Sequence, residues 1–263
     1  MQILIDGNNL VHRAFYKSGN SFTLFAKIFN SIIYSILKND YYNNNHKIIW
    51  DSPIGYWRKK IYPDYKATRQ KMDDHDLFVD FRQKLITYLS NNTNRSQLCL
   101  RLFEADDIIA NLVNKKKNIN DIIIIVSNDT DMYQLLNDFK PIVLIKQIGK
   151  RKYYSSKTFR NEFGFEPNLY SSYKSLCGDN SDNIPGVPGI GDKRAKEIIK
   201  RYGHLSEWLQ NVQPDKDDNI SQFAFQARLN WRKVLLYYKL IHLTDENIMN
   251  NIDKSIKKDN IYK

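Results

Sequence analysis

A chain of 263 residues has room for one large α/β domain, with or without a small appendage, and for a properly buried core. Forty Lys and Arg against 29 Asp and Glu leave a net charge of +11 and a pI near 9.4, which favours an anionic partner without specifying one. Cys99 and Cys177 are not spaced for zinc, and no segment approaches the ~20 apolar residues of a membrane span, so a soluble protein with reduced thiols in the cytoplasm is expected.

The N-terminus, MQILID, enters an apolar strand at once, without a basic leader. That strand, residues 2–5, ends at Asp6, and Gly7-Asn8-Asn9 turn the chain into a helical pattern. A second run, KIIW at 47–50, ends at Asp51. The most apolar run, 121–127, is followed by Asn128-Asp129-Thr130-Asp131. Continuous apolar runs of this length predict strands buried on both faces, as in a parallel sheet covered by helices. Each Asp alone reads equally well as a helix cap. Three delivered to the carboxyl ends of neighbouring strands form an acidic pocket where open α/β sheets bind ligands.

Between the second and third strands, residues 56–71 mix Arg58, Lys59, Lys60, Lys66, Arg69 and Lys71 with Tyr56, Trp57, Tyr62 and Tyr65. Cations hold phosphates and rings stack on bases, so this segment suits a single-stranded nucleic acid, against the plainer reading of a solvated basic face. Residues 73–90 read as an amphipathic helix with Leu77, Phe81, Leu85 and Tyr88 or Leu89 on one side. Glu104, Asp106 and Asp107 then open another helix, more acid than a first turn needs for its dipole.

Residues 141–154 predict a β-hairpin turning near Gly149, and 155–163 and 167–177 predict helices. The stretch 177–203, CGDNSDNIPGVPGIGDKRAKEIIKRYG, organises the rest. Asp179 and Asp182 stand three apart and could share a cation. Gly186, Gly189 and Gly191, with Pro185 and Pro188 between them, make a tight hairpin of bare backbone. A helix then starts with Lys193, Arg194 and Lys196, a combination that suits a phosphate. Beyond 204 the pattern is helical, with one long segment near 221–242 whose Trp231, Leu235, Tyr238 and Ile241 are expected in the core, and a polar, frayed end at 251–263.

Collected, the acids would repel one another unless cations neutralise them. Hard oxygen ligands without Cys or His favour Mg²⁺ or Mn²⁺ over zinc. Two such ions roughly 3.5–4 Å apart hydrolyse phosphodiesters without a side-chain nucleophile, and no Ser-His-Asp or Cys-His set offers one.

The motifs GDNSDNIPGVPGIGDKRA, IDGNNLVHRAFY, WDSPIGYWRKKIYPDYKATR, EADD and SNDTDMYQLL resemble, in order and spacing, those of the 5′ nucleases, the group of the 5′-3′ exonuclease domain of bacterial DNA polymerase I and the phage flap endonucleases. The resemblance implies a PIN-like, mostly parallel α/β sheet flanked by helices, with a helical arch at about 56–90. It divides the chain into a catalytic region, 1–160, and a helix–three-turn–helix DNA-binding region, 161–263. By the same resemblance Asp6, Asp51, Glu104, Asp106 and Asp107 would serve one metal, Asp129, Asp131, Asp179 and Asp182 a second, with Asp129 between them. Lys66, Arg69 and Tyr65 would act on the scissile phosphate or threaded strand. Arg13, Arg58, Lys59, Lys193, Arg194, Gly189 and Gly191 would hold DNA, and the carbonyls of Val187 and Ile190 would bind K⁺.

The implied activity is structure-specific cleavage of DNA at 5′ ends and flaps, and of RNA primers on DNA, during replication and repair. The implied enzyme is a monomer beside a replicative polymerase, in a bacterial or phage-infected cytoplasm. A PIN-like ribonuclease and a non-catalytic structure-specific DNA-binding protein are the alternatives; the first does not need the hairpin, and the second leaves the acids unexplained.

Overall fold

The computed structural model describes residues 1–37, 46–69, 73–93, 95–116, 122–139, 142–146 and 152–258. Its centre is a six-stranded sheet in the order β3-β2-β1-β4-β5-β6. The strands are β1 Gln2–Asp6, β2 His46–Trp50, β3 Ser96–Cys99, β4 Ile123–Val126, β5 Ile142–Lys146 and β6 Lys152–Tyr154. All pairings from β3 to β5 are parallel, and β6 closes the edge antiparallel. The helices are α1 Gly7–Ser18, α2 Phe22–Leu37, α3 Trp57–Ile61, α4 His75–Asn92, α5 Ala105–Lys115, α6 Ser156–Phe163, α7 Tyr170–Cys177, α8 Asp192–Tyr202, α9 Leu205–Trp208, α10 Asn219–Leu229, α11 Trp231–Ile241 and α12 Glu246–Lys258.

The sheet separates two apolar layers, as strands with side chains alternating between two covered faces require. Ile3, Ile5, Ile48, Trp50 and Val126 face α1, α2 and α4, whose Phe15, Phe25, Phe29 and Phe81 fill that side. Leu4, Ile49, Ile123, Ile125 and Leu144 face α5 and continue into a core shared with α6 to α12. Gly7 lets α1 start hard against β2: a Cβ there would lie 2.6 Å from the Trp50 ring. Because the strands are parallel, β1, β2 and β4 end at one edge, with Asp6, Asp51 and Asp129 just at or beyond their last residues.

Several expectations are revised. β3 was not expected, and β5 joins the sheet beside β4 instead of pairing only within its hairpin; the turn near Gly149 lies outside the described residues. The long helix near 221–242 is two, broken at Asn230 (φ −103°, ψ 18°). Trp231 and Leu235, expected in the core, are 39% and 36% exposed, and Val234, Tyr237, Leu240 and Ile241 are the buried face. The C-terminal stretch is helical to Lys258, where α12 buries Ile252 and receives the Asn111 amide on the Met249 carbonyl (3.2 Å) and Asp253 (2.8 Å); residues 259–263 lie outside the described residues.

In the arch segment, α3 is five residues long, and residues 62–66 after it bond to the loop that follows α7. Tyr62 donates to the Asn183 carbonyl (3.2 Å), the Lys66 amide to the Asp182 carbonyl (3.0 Å), and the Asn183 amide side chain to the Asp64 carbonyl (2.8 Å). Residues 70–72, including Lys71, lie outside the described residues. Among the described residues no helix is long and apolar enough to cross a membrane.

Candidate metal centre

The acids arrive at the sheet edge through backbone geometry. Asp6 ends β1 and caps α1, accepting from the Asn9 amide at 3.0 Å and from the Ser127 hydroxyl at 2.8 Å. Asp51 follows β2 and accepts from the Ala105 amide at 2.7 Å, which ties it to the start of α5. Glu104 caps α5 in a reciprocal box with Asp107, leaving Asp106 between them on the open side. Asp129 follows β4 and accepts from the Asp131 amide at 2.9 Å. Together Asp6, Asp51, Glu104, Asp106 and Asp129 line a cleft of about 150 Å³, with Asn8, Asn9, His12, Lys66 and Arg69 on its rim.

Two sets of carboxylates have oxygens within 4.8 Å of one another: Glu104, Asp106 and Asp107, and Asp131, Asp179 and Asp182. The second set unites the turn after β4 with the loop after α7, about fifty residues on. That loop is held by its glycines: Gly178 and Gly186 both have positive φ, and a Cβ on Gly186 would lie 2.5 Å from the Gly178 nitrogen. Tyr65 bridges the sets, its phenol oxygen 2.9 Å from both Glu104 Oε2 and Asp182 Oδ2.

Burial raises the Asp6 carboxyl to about 7, with the charge of Asp51 adding to it. Burial likewise raises Asp51, Asp106 and Asp131, with neighbouring acids reinforcing each. Glu104 goes the other way: burial opposes ionisation, but Arg58 and Lys66 beside it hold its carboxyl below the usual range. Asp131 Oδ1 is buried with no hydrogen-bond partner, which is costly unless a cation meets it. All-oxygen, negatively charged donors with an orphaned oxygen fit hard divalent ions.

Family models match nearly the whole chain. Residues 1–164 match the model described as 5′-3′ exonuclease, N-terminal resolvase-like domain, and residues 165–261 match 5′-3′ exonuclease, C-terminal SAM fold. The chain belongs to the 5′-3′ exonuclease family. A 5′-3′ exonuclease of Mycoplasmopsis pulmonis is 30% identical over 259 residues, 97% of this chain and 84% of the relative. The flap endonuclease Xni of Shewanella halifaxensis is 30% identical over 253 residues, covering 94% of each. The T5 5′-exonuclease, solved with bound divalent metal ions (zinc), shares the fold at a TM-score of 0.77 and 21% identity, over 97% of this chain and 98% of that one. The family comprises metal-dependent nucleases that act on DNA, with the mixed, mostly parallel sheet and appended helical region found here.

Within this exonuclease framework, not every residue expected at the site faces it. Arg58, expected on DNA, is 1% exposed; its guanidinium donates to both oxygens of Asp107 (2.9 and 2.8 Å), to Glu104 (2.8 Å) and to the Leu240 carbonyl (2.6 Å). Asp107, expected on a metal, stands in the first carboxylate set with Glu104 and Asp106 but is fully buried, and its Oδ2 also accepts from the Trp57 indole at 3.0 Å. Both are turned inward because a buried carboxylate needs a paired cation. Lys59 is exposed on α3.

Lys66 sits at φ +58°, a conformation unfavourable for a side chain with a Cβ, and its ammonium pairs with Glu104 and lies 3.8 Å from Asp182. Arg69 donates to Asp182 at 2.8 Å and to the Ser181 carbonyl at 3.0 Å. In the hairpin, Gly189 is at φ +82° and a Cβ on Gly191 would meet open space, so backbone there is accessible. Arg194 donates to the Gly189 carbonyl at 2.6 Å and lies over Phe223, and Lys193 is exposed on the first turn of α8. The side chains of Val187 and Ile190 are buried, and the Val187 carbonyl accepts from the Ile190 amide at 2.9 Å. Arg13 lines a separate basic groove with Lys17 and Lys27 between α1 and α2.

Two participants had no sequence signal. Asn8 accepts from Arg82 (3.2 Å) on the rim, while Arg82 also donates to the Asp51 carbonyl (2.7 Å), so a residue of α4 braces the cleft. Lys174, on α7, pairs with Asp179.

Proposed function

We propose that this chain hydrolyses phosphodiester bonds at 5′ ends and flaps of DNA with two divalent ions, Mg²⁺ or Mn²⁺, held by Asp6, Asp51, Asp106 and Asp129 on one side and Asp131, Asp179 and Asp182 on the other. The observation that carries this reading is the convergence of Asp6, Asp51, Glu104, Asp106 and Asp129 on one cleft, with the orphaned oxygen of Asp131 beside it. Ions bound there would lower the pKa of water and offset charge on the leaving oxygen.

The side chains do the rest. Glu104 and Tyr65 hold Lys66 and Asp182 in place, and Arg69 reaches across from the folded arch segment, so two cations face the cleft where a scissile phosphate would lie. Asp107 and Arg58 form the buried support that fixes the start of α5, and so Glu104 and Asp106. The hairpin amides with Lys193 and Arg194, and the groove of Arg13, would hold duplex backbone, with K⁺ at the carbonyls around Val187 and Ile190. Residues 1–160 would thus supply most of the carboxylates and the groove of Arg13, and 161–263 the hairpin grip together with Asp179 and Asp182. RNA primers, action as a monomer beside a polymerase, and a bacterial or phage-infected cytoplasm complete the reading; the bacterial source of relatives named 5′-3′ exonuclease and flap endonuclease supports the bacterial setting alone.

Cleavage of an end-labelled 5′-flap duplex in Mg²⁺, its loss in EDTA, and its loss in Asp129→Asn with flap binding retained are expected. Cleavage in EDTA, or unchanged Asp129→Asn rates, would overturn the assignment.

A further inference from the structure

The exposed apolar side chains of the helical region gather at one corner. Among the described residues beyond position 160, the large apolar side chains left exposed are Leu229, Trp231 and Leu235, at 69%, 39% and 36%. Leu229 ends α10, and Trp231 and Leu235 stand one turn apart on α11. A pocket of about 650 Å³ opens there, lined by Gln210, Gln213, Phe225, Arg228, Leu229 and Trp231. A lone exposed Leu means little, but several large apolar groups round a concavity mark a contact surface.

The corner faces away from the hairpin. Phe223 on α10 lies under the Arg194 guanidinium at 4.0 Å, and the Gln226 amide donates to the Pro188 carbonyl at 2.8 Å, so that side of α10 packs on the hairpin. At 3.6 residues per turn, Phe225 and Arg228 project from the opposite side, with Leu229 at its edge. The start of α11 carries the pocket, and its Leu240 carbonyl, which receives Arg58, lies about 14 Å further along the helix.

The charge at the corner is positive. Arg228 donates through Nη1 to the Val212 carbonyl at 2.9 Å and lies over the Phe225 ring at 5.7 Å, which fixes its guanidinium with the other edge of the fork available to a carboxylate. Arg232 lies over the Trp231 ring at 5.3 Å, and Lys233 is exposed beside it. Of the acids between Gln213 and Phe225, Asp215 accepts from the Asp217 amide, and Asp218 accepts from the Ile220 amide at the start of α10 and pairs with Arg201. A nucleic-acid strand needs a track of cations along its backbone. This lining sets one Arg beside two neutral Gln amides and an apolar wall, which suits a buried apolar anchor with a carboxylate next to it.

We infer that the corner between α10 and α11 is a docking site for an acidic peptide segment of a partner protein. The segment seats an aromatic or leucine side chain among Phe225, Leu229 and Trp231 and sets a neighbouring carboxylate on Arg228. Arg232 and Lys233 draw further acids to the rim, which speeds encounter more than it tightens the complex. Because the pocket lies across α10 from the hairpin and along α11 from the acidic cleft, the docked segment tethers the protein and leaves both surfaces open.

The test uses the full chain and a fluorescein-labelled synthetic peptide in which Asp and Glu residues surround one Leu-Phe pair, followed by fluorescence anisotropy. The peptide should bind, more weakly as salt rises, and a version with Ser in place of the Leu-Phe pair should bind at least tenfold less well. Trp231→Ala, Leu229→Ser and Arg228→Gln should each weaken binding at least tenfold while flap cleavage without peptide stays within twofold of the native rate. Saturating 5′-flap duplex should leave the peptide bound. No binding by the native chain, equal binding of the Ser version, or native affinity in Trp231→Ala and Leu229→Ser would overturn the inference. Displacement of the peptide by flap duplex or by oligothymidine would overturn it by assigning the corner to nucleic acid. A native dimer in sedimentation that Leu229→Ser dissociates would overturn it by assigning the corner to a second copy of the chain. Thermal melts show whether Arg228→Gln, which loses the bond to Val212, keeps its fold; if it does not, the two variants at exposed positions decide the outcome.

Discussion

Arg58 grips Asp107 through both carboxylate oxygens, at 2.9 and 2.8 Å, in the interior of a protein whose surface is strongly basic. The pair joins the arch segment to the start of α5, and its third contact, with the Leu240 carbonyl, ties both to the end of α11. Removing one partner of a buried pair leaves the other charge unmatched, so Arg58→Ala should cost about 3–5 kcal/mol of stability. Arg58→Lys should recover only part, because an ammonium cannot supply the fork. Urea unfolding checks this, and a variant as stable as the native chain with weakened flap binding would return Arg58 to the DNA interface.

The loop carrying Asp179 and Asp182 depends on two glycines in contact. A methyl on Gly186 would meet the Gly178 nitrogen at 2.5 Å and the Leu176 carbonyl oxygen at 2.6 Å, at a φ of +70°. Gly186→Ala should therefore destabilise by roughly 1–3 kcal/mol and lower cleavage, by shifting the second carboxylate set. Gly191→Ala, at the N-cap of α8 with nothing within 4 Å, meets no steric bar and should cost less, roughly 0.5–1 kcal/mol, because Ala is a poorer N-cap than Gly. Equal unfolding midpoints for the two variants would contradict the loop geometry.

The strand-end acids could be read from the sequence because β1, β2 and β4 are apolar runs buried on both faces, and Asp6, Asp51 and Asp129 stand where each run stops. β3 could not: its Gln97 is polar yet buried, satisfied by accepting from the Trp50 indole at 2.9 Å and donating to the Ile86 carbonyl at 3.2 Å, partners supplied only by the folded chain. Arg58 and Tyr65 look like surface residues in a basic, aromatic run; what buries them is the acid of Glu104 and Asp107, some forty to fifty positions away. The break at Asn230 is local: its amide donates to the Ala227 carbonyl and its side chain to the Gln226 carbonyl, both at 3.0 Å, while the apolar pattern runs on past it. Lys174 sits in an ordinary amphipathic helix, and only the return of the loop through Gly178 brings Asp179 back onto it.

Lys66 combines a left-handed backbone with an ammonium aimed between Glu104 and Asp182. If that strain serves to place the charge, Lys66→Met should lower the flap-cleavage kcat by about 10²–10³ with substrate affinity within a few-fold. Lys66→Gly, which suits φ +58° without strain, should lose as much activity while folding at least as firmly. Single-turnover rates with melting curves check both, and retained activity in either variant would remove Lys66 from the chemistry.

His242 caps the end of α11 and is held neutral. Ser171 Oγ (3.3 Å) and Tyr238 Oη (3.2 Å) approach its Nδ1 and Thr244 Oγ1 (3.0 Å) its Nε2, linking α11 to α7, which leads into the Asp179 loop. Burial lowers its pKa from 6.5 to about 4, His204 adds to the effect, and Asp245 opposes it. Between those values the unfolded chain binds a proton that the folded chain refuses, so this group's contribution to stability is full above pH 6.5 and falls as the pH drops towards 4. The loss should be on the order of 2–3 kcal/mol across that window. His242→Gln keeps hydrogen-bonding capacity but cannot ionise, so its urea midpoint should fall less steeply between pH 7 and pH 5 than that of the native chain, even if it starts lower. Parallel slopes for the two proteins would show that His242 does not carry the acid sensitivity of the joint between α7 and α11.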